Sequence, residues 1–403
     1  MAAVSELLPG GLVLRTGEPA DLDQIAALLV ARGEPADAVD HRLIVEDPEA
    51  GWESCAVVVD GDRVVSVATL LDETLILAGV PIPAGQVELV ATDPRYEGRG
   101  LVRALMRWAH DRGTARGHLA QILIGIPYFY RQFGYQYAIE LPRSRAVRTV
   151  PSPGAEYSVR PAGPGDLPAM ADLQAGAQRG YDLSMPHSPA CWRWLVARDG
   201  SHQLLVERAG VPVATGRLTA PDDDEVVLGE IAATDPAAAY ALVAHAAGTG
   251  ALKVKERPGT VGADALESCL APPPRQAARY YLRVPEVAAL LEHLRPVFAA
   301  RLAASDLAGA SGEVVVSFFR HHVRMSYADA TVGPVRPAGV MQAPGAAGGA
   351  GVAPDLAGAL VFGPHGIAGL AERHPDVYPG PHEALMRTLF PPVRADLLTF
   401  YLP

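Results

Sequence analysis

Glu88-Leu-Val-Ala-Thr-Asp93-Pro-Arg95-Tyr-Glu-Gly98-Arg99-Gly100-Leu-Val-Arg103 reads in three parts. Residues 86–92 form an apolar run that reads as a buried strand, preceded by a hairpin-like stretch over 74–83. A proline turn and two glycines one residue apart follow. A helix is then expected over 101–112, with Arg99, Arg103 and Arg107 at helical spacing. Glycines lack Cβ and let backbone N–H groups converge, and a helix N-terminus adds partial positive charge, so the loop suits a pyrophosphate. The same residues also read, without any ligand, as an ordinary strand–turn–helix link with a solvated basic face. Two other phosphate loops are excluded. The third glycine and acidic ribose partner of a dinucleotide fingerprint are missing, and so is a Gly-Lys-Ser/Thr.

Working outward, the chain repeats itself. Leu14-Arg15 through Pro19, Asp21-Leu22 and Ala26 to Leu28 returns as Val159-Arg160 through Pro164, Asp166-Leu167 and Ala171 to Leu173. Each copy reads as a strand, a Pro/Gly turn, an aspartate placed to cap a helix, and an amphipathic helix. A second anchor, Ala91-Thr92-Asp93-Pro94, matches Ala233-Thr234-Asp235-Pro236, each behind an apolar segment with Glu88 or Glu230. In the second copy Pro236 leads straight into Ala237-Ala238-Ala239-Tyr240 without glycines. The expected organisation is a ligand-binding unit over 1–148, a degenerate copy over 149–283, and a remainder over 284–403. In that remainder we expect a helix over 284–302, strand-like sequence from Glu313 to Tyr327, a flexible surface loop over 333–354, short helices over 355–360 and 381–389, and a buried apolar tail ending at Pro403.

Composition narrows the partners. The 403 residues carry 45 acids and 34 bases, a net charge of −11, which disfavours a nucleic-acid binder and favours neutral or cationic partners. Only Lys253 and Lys255 are lysines and asparagine is absent, a bias of the kind a GC-rich genome produces. Cys55, Cys191 and Cys269 are odd in number and far apart, so no disulfide framework or C-x-x-C pair can be drawn. With neither a signal-like N-terminus nor about 18 uninterrupted apolar residues, a cytoplasmic protein without a membrane span is expected.

Arg95-x-x-Gly98-x-Gly100, followed by Ile126-Pro-Tyr128-Phe-Tyr130-Arg-Gln-Phe133-Gly134-Tyr135, resembles motifs A and B of the GNAT superfamily of acyl-CoA-dependent N-acyltransferases, in the right order and at a compatible distance. The whole layout, together with Pro354 to Gly363 and Glu383 to Phe390, resembles the enhanced intracellular survival (Eis) acetyltransferases. The resemblance implies an α+β chain. Two GNAT folds in tandem, each a mixed central sheet flanked by helices, would precede a sterol-carrier-protein-like (SCP2-like) α/β domain. It further implies a hexamer that acetylates amines, such as aminoglycosides or lysine side chains, from acetyl-CoA without a metal.

The resemblance also implies roles. Val90, Ala91 and Thr92 would meet the acetyl and pantetheine. Arg95, Gly98, Arg99, Gly100, Leu101, Val102, Arg103, Gly125 and Ile126 would also bind the cofactor, with the pyrophosphate on the amides of Gly98 to Val102. Tyr130 would be the general acid, and the terminal carboxylate of Pro403 the base, although the family commonly ends in Phe. Glu88 is the alternative base. Asp37, Asp40 and Glu46 are candidates for the acceptor mouth. His321-His322 reads as structural, Trp192 and Trp194 as packing, and Asp222-Asp223-Asp224-Glu225 as a solvated turn. Two other readings stay open: the same fold with another acyl group or a biosynthetic amine, and a non-catalytic acyl-CoA- or lipid-binding protein.

Overall fold

The computed structural model describes residues 5–220 and 225–401. Asp222, Asp223 and Asp224 and the terminal Pro403 therefore lie outside the described residues. The strands of the first repeat are β1 (Ser5–Leu7), β2 (Val13–Thr16), β3 (Cys55–Asp60), β4 (Arg63–Leu77), β5 (Val80–Thr92), β6 (Ala120–Leu123) and β7 (Gln136–Glu140). Its helices are α1 (Leu22–Arg32), α2 (Pro35–Val45) and α3 (Leu101–Ala115). Strands β4 and β5 form the expected hairpin, turning at Ala78 and Gly79, both with positive φ, and the turn twists with its strands.

The second repeat comprises β8 (Ser144–Ala146), β9 (Tyr157–Pro161), α4 (Leu167–Gln178), β10 (Leu183–Met185), α5 (Pro189–Ala197), β11 (Ser201–Arg208), β12 (Val211–Thr219), β13 (Glu225–Ala233), α6 (Pro236–Ala246), β14 (Ala251–Lys255), α7 (Val261–Leu266) and β15 (Arg279–Arg283). Its own sheet runs β8-β14-β13-β12-β11-β9. Strand β15 leaves that sheet and inserts between β6 and β7 of the first, antiparallel to both. Strand β10 joins the far end of β4.

The repeat has a physical basis. Arg15 makes a two-pronged bond to Asp21, and Arg160 to Asp166, at 2.6–2.8 Å. Each aspartate also accepts the backbone N–H three residues earlier, from Glu18 and Gly163. They therefore close the 3-10 turn before the helix rather than capping α1 or α4 directly, as the sequence suggests. The second anchor is displaced as well. The N–H of Asp93 bonds the Val65 carbonyl, while in the second unit the equivalent bond runs from Thr234 to Val213. Asp235 thus sits one residue beyond the position that Asp93 occupies.

The remainder contains α8 (Val287–His293), α9 (Arg295–Ala303), β16 (Ser311–Ser317), β17 (His322–Ala328), β18 (Thr331–Val332), β19 (Arg336–Ala338), β20 (Ala350–Gly351), α10 (Ala357–Phe362), α11 (Gly366–Ala371), α12 (Glu383–Leu389) and β21 (Ala395–Leu397). Two expectations need correction. The helix over 284–302 is broken at Leu294, ahead of Pro296, into α8 and α9. The glycine-rich stretch over 333–354 is partly packed: β19 pairs with β17, β20 pairs with β16, and a Cβ at Gly351 would strike the Tyr378 ring. His321 ends the turn between β16 and β17, and His322 opens β17 with its Nδ1 2.8 Å from the Gly339 carbonyl, a structural contact of the kind its sequence reading suggests.

The tail is buried, as its composition implies. Strand β21 pairs in parallel with β10, and Leu397, Leu398 and Phe400 are buried. One hydrophobic core joins β5, β6 and β7 of the first sheet to α8–α12. The tail's Asp396 accepts from Arg257 of the second unit at 2.7 and 3.1 Å, with both side chains nearly inaccessible. Removing one partner strands a buried charge at a cost of about 3–5 kcal/mol. Asp396→Ala should therefore lower the Tm by several degrees in calorimetry, and the double change Arg257→Met with Asp396→Leu should recover most of the loss.

Candidate active site

Strands β5 and β6 pair in parallel only from Ala84–Ala120 to Gln86–Ile122, and beyond Gln86 they diverge. A bulge opposite Ala68 puts Leu89 at a positive φ of 51° and turns the following residues away from the ladder. Backbone groups of β5 on that edge have lost their strand partner, and buried backbone groups need one. The cavity beside them, of about 650 Å³, is lined by Val90, Ala91 and Thr92, by Tyr96, Gly98 and Gly100 to Arg103, and by Ile126, Phe129, Tyr130, Gln132 and Phe133.

The loop into α3 is shaped by Gly98 and Gly100, with φ of 74° and 81°, and a Cβ on either would meet nothing within 4 Å. Glycine is needed there for conformation rather than for space. The first helical bond runs from Ala104 to Gly100. The amides of Leu101, Val102 and Arg103 thus precede the intrahelical ladder, as the first amides of any helix do, and point outward from the positive end of the helix dipole.

The arginines divide. Arg103 lines the cavity, donates to Gln132 at 2.9 Å and lies over Phe133. Arg95 bonds Asp93 at 2.7 Å, and Arg107 bonds Glu6 at 2.6 Å. Arg99 stacks over Tyr96 and bonds the Arg95 carbonyl. A common cationic seat made by all four does not form. Sequence reasoning missed Arg32, which lines the same cavity and pairs with Glu97 at 2.6 Å across its rim.

Tyr130 stands at the inner end of the cavity. It is buried, edge-on to Phe129 at 5.1 Å, and 5.7 Å from Tyr281. Burial and then the nearby Glu88 carboxylate push its hydroxyl up to about 12. Gly125 matters through its missing side chain, since a Cβ there would lie 2.4 Å from the Tyr130 ring. Tyr281 belongs to β15, so a strand arriving after the second repeat walls the first repeat's site; its hydroxyl bonds the Ile126 carbonyl and its ring stacks on Tyr137 at 4.1 Å. No sequence signal marked it, because its neighbours come from residues more than 140 positions away.

Glu88 is half-buried, accepts from Gln86, and is pushed up to about 8, chiefly by removal from water and further by Asp37 and Asp40. Asp40 is itself buried and pairs with Arg198 of the second unit at 2.6 Å. Asp37 bonds the Glu34 N–H at the start of α2, and Glu46 is exposed at the far end of that helix. Trp194 does more than pack within its unit, because it donates to Asp47 of the first repeat and lies against Phe400. Among the described residues no cluster of His, Cys, Asp and Glu could hold a metal ion.

The second unit repeats the splay and closes it. Strands β13 and β14 pair only up to Leu228–Val254, and Glu230 has a positive φ of 53°. There, however, Gln174 donates to the Glu230 carbonyl and Arg257 to the Ile231 carbonyl. At α6 the Asp235 carboxylate accepts from the Ala238 N–H, so an internal anion already occupies the helix N-terminus.

A splayed parallel pair and a glycine loop opening a helix define an acyl-CoA-type transferase fold. Residues 14–138 match the model of an acetyltransferase (GNAT) domain family, and the chain carries a GNAT acetyltransferase domain. No curated protein matches the chain. Solved structures similar along its whole length include a GCN5-related N-acetyltransferase from Kribbella flavida, 20% identical with a TM-score of 0.66, covering 97% of this chain and 100% of that one. A GCN5-related N-acetyltransferase from Anabaena variabilis is 16% identical with a TM-score of 0.69, at 96% and 97% coverage. Eis1 from Mycobacterium abscessus is 18% identical with a TM-score of 0.57, at 96% and 99%. Among the described residues no helix is long and apolar enough to cross a membrane.

Overpacking against a buried ring costs about 1–3 kcal/mol. Gly125→Ala should show that loss in urea unfolding, while Tyr130→Ala combined with Gly125→Ala should cost less than the sum of the two single changes.

Proposed function

We propose that the chain transfers an acetyl group from acetyl-CoA to a primary amine of a cationic small molecule, aminoglycoside-like, or to a lysine side chain. The observation that carries this reading is the open splay of β5 and β6, with Tyr130 at its inner end and the α3 N-terminus at its outer end. Pantetheine amides would pair with the free edge of β5 at 90–92, and the pyrophosphate would rest on the amides of Leu101 to Arg103. The neutral amine attacks the thioester carbonyl, the C–S bond breaks, the thiolate takes the Tyr130 proton, and the proton that the nitrogen loses as the amide forms returns to the phenolate. A phenol raised to about 12 is fully protonated at neutral pH and stands well above a thiol near 8.5, so it holds its proton until the thiolate forms. The ammonium's proton goes to a carboxylate.

Two carboxylates compete for that role, the terminus at Pro403 and Glu88. They differ in titration. With Glu88 near 8, its basic form grows as pH rises, so kcat/KM should climb through pH 8 and level above it, and Glu88→Gln should flatten the rise. A terminal carboxylate is already ionised, so it gives no such limb, and a one-residue C-terminal extension should then cut kcat sharply. A cationic amine entering beside Glu88 would favour that group's ionised form, so the carboxyl-rich acceptor side suits such a substrate. The sterol-carrier-like reading of 284–403 and the hexamer rest on resemblance along the whole chain, and a cytoplasmic location on the three free, scattered cysteines.

The alternatives are the same chemistry with another acyl-CoA or a biosynthetic amine, and a non-catalytic binder. Thiol release, measured over a panel of acyl-CoAs against aminoglycosides, polyamines and lysine peptides, separates them. Tyr130→Phe should lower kcat about 10²- to 10⁴-fold while acetyl-CoA still binds. Absence of thiol release with every amine would sink the transferase reading.

A further inference from the structure

The second unit has closed its own cofactor slot, yet it keeps a fully buried arginine. Arg217, on β12, is among the largest side chains with essentially no exposure. Its guanidinium donates to the Thr399 carbonyl at 2.8 Å and to the Phe400 carbonyl, and it also meets Ser201 at 3.1 Å and Glu230 at 3.3 Å. His187 holds the other oxygen of Glu230 at 3.0 Å. Two of the directions in which a buried arginine must be satisfied are thus given to the backbone of the chain's last segment.

Arg198, at the end of α5, completes the grip. It donates to the same Phe400 carbonyl at 2.9 Å, lies over the Phe400 ring, and bonds Asp40 of the first unit. Tyr280 of β15 hydrogen-bonds Thr399, one residue before the Tyr281 that packs on Tyr130. The segment held in this way packs Tyr401 against the same apolar cluster as Leu89, the residue after Glu88 on β5. The Tyr401 hydroxyl is buried, has no hydrogen-bond partner among the described residues, and lies within the electrostatic reach of Glu88, Asp40 and Asp37.

We propose that Arg217 is a positioning residue for the acceptor half of the site: by clamping the Thr399 and Phe400 carbonyls it seats Tyr401 beside Glu88, where the hydroxyl receives a hydrogen from the incoming amine. The inference rests on the acyltransfer reading above. It gives the degenerate copy a task in the reaction, which is to fix the wall against which the amine is presented. Cofactor binding is untouched, because the acyl-CoA cavity is built from β5, α3 and the 126–133 segment.

The test is steady-state thiol release from acetyl-CoA, with an aminoglycoside, a polyamine and a lysine peptide as acceptors, on the full-length chain. Misplacement of about an ångström costs up to 10²-fold, so Arg217→Met should raise the acceptor KM or lower kcat/KM about 10- to 100-fold and leave the KM for acetyl-CoA within about twofold. Arg217→Lys should recover part of the loss. Hydrogen exchange should show the 397–401 peptide losing protection in Arg217→Met while the α3 peptide keeps it. In a cycle with truncation after Leu398, the double variant should lose no more than the truncation alone. Should Arg217→Met fail to fold, Arg198→Met, which loosens the same carbonyl from a partly accessible site, carries the same expectations. Equal losses for acceptor and acetyl-CoA, additive losses in the cycle, or an unchanged kcat/KM for the acceptor would overturn the role of Arg217. A wild-type chain that releases no thiol with any acceptor would instead overturn the acyltransfer reading, and the inference with it.

Discussion

The parting of two parallel strands governs this molecule. Once β5 and β6 separate after Gln86, the backbone of β5 from Val87 onward must find partners outside the ladder, because a buried N–H or C=O without one costs on the order of 1–3 kcal/mol. The bulge at Leu89 makes the separation permanent, by holding a branched apolar residue in the left-handed region. Everything nearby answers that need. The glycine loop brings a helix terminus to one end of the gap, and Tyr130 fills the other.

The duplication shows the same constraint met in two ways. In the second unit the gap is filled from within: Gln174 and Arg257 satisfy the carbonyls at the bulge, and Asp235 supplies a resident carboxylate at the helix terminus. A bound anion there would have to displace a covalently tethered one, whose effective concentration is high. Loss of the two glycines is the sequence trace of this change, and the one-residue displacement of Asp235 relative to Asp93 is its geometric form. The two homologous-looking anchors serve different ends. Asp93 pairs with Arg63 and Arg95 beside the open gap, and Asp235 caps the helix that closes the other.

Much of this was legible in the chain because it is local. The glycine loop, the Tyr-x-x-Phe-Gly-Tyr turn and the repeated strand-turn-aspartate units at 14–22 and 159–167 each lie within a few residues, so they could be recognised, although the aspartates bond Arg15 and Arg160 rather than cap the helices as the sequence suggests. What spacing could not show is long-range. The arginines at 95, 99, 103 and 107 look like one cationic face, yet Glu6 engages Arg107 from elsewhere in the fold, and Asp93 pairs with Arg95 close by. Strand β15 reads as the end of the second copy, but its pairing partners Gln121–Leu123 and Gln136–Glu140 lie well over a hundred residues back. The stretch over 333–354 looked structureless from its composition. Its glycines are instead the residues small enough to lie against Val315 and Tyr378.

Burial also explains why the acid–base groups differ from their counterparts in water. Tyr130 and Glu88 are both displaced toward their protonated forms, chiefly by burial, and the Glu88 carboxylate raises Tyr130 further, since a second negative charge in the same dry recess is unfavourable. That coupling sets an order on proton movements. Under the proposed transfer, the recess would accept one proton from an ammonium at Glu88, or release one from Tyr130 to a leaving thiolate, but holding both groups ionised at once is costly. A positive charge entering the recess relieves exactly that cost for Glu88 and is therefore drawn in, whereas the acetylated, neutral product is not. Strand β15 and the tail keep water from screening this difference, with Tyr281 stacked between Tyr130 and Tyr137 and with Phe400 sealed against Trp194. A catalytic unit cut at the end of its own repeat would lack both walls, and the same carboxylate and phenol, exposed to solvent, would return toward their ordinary values.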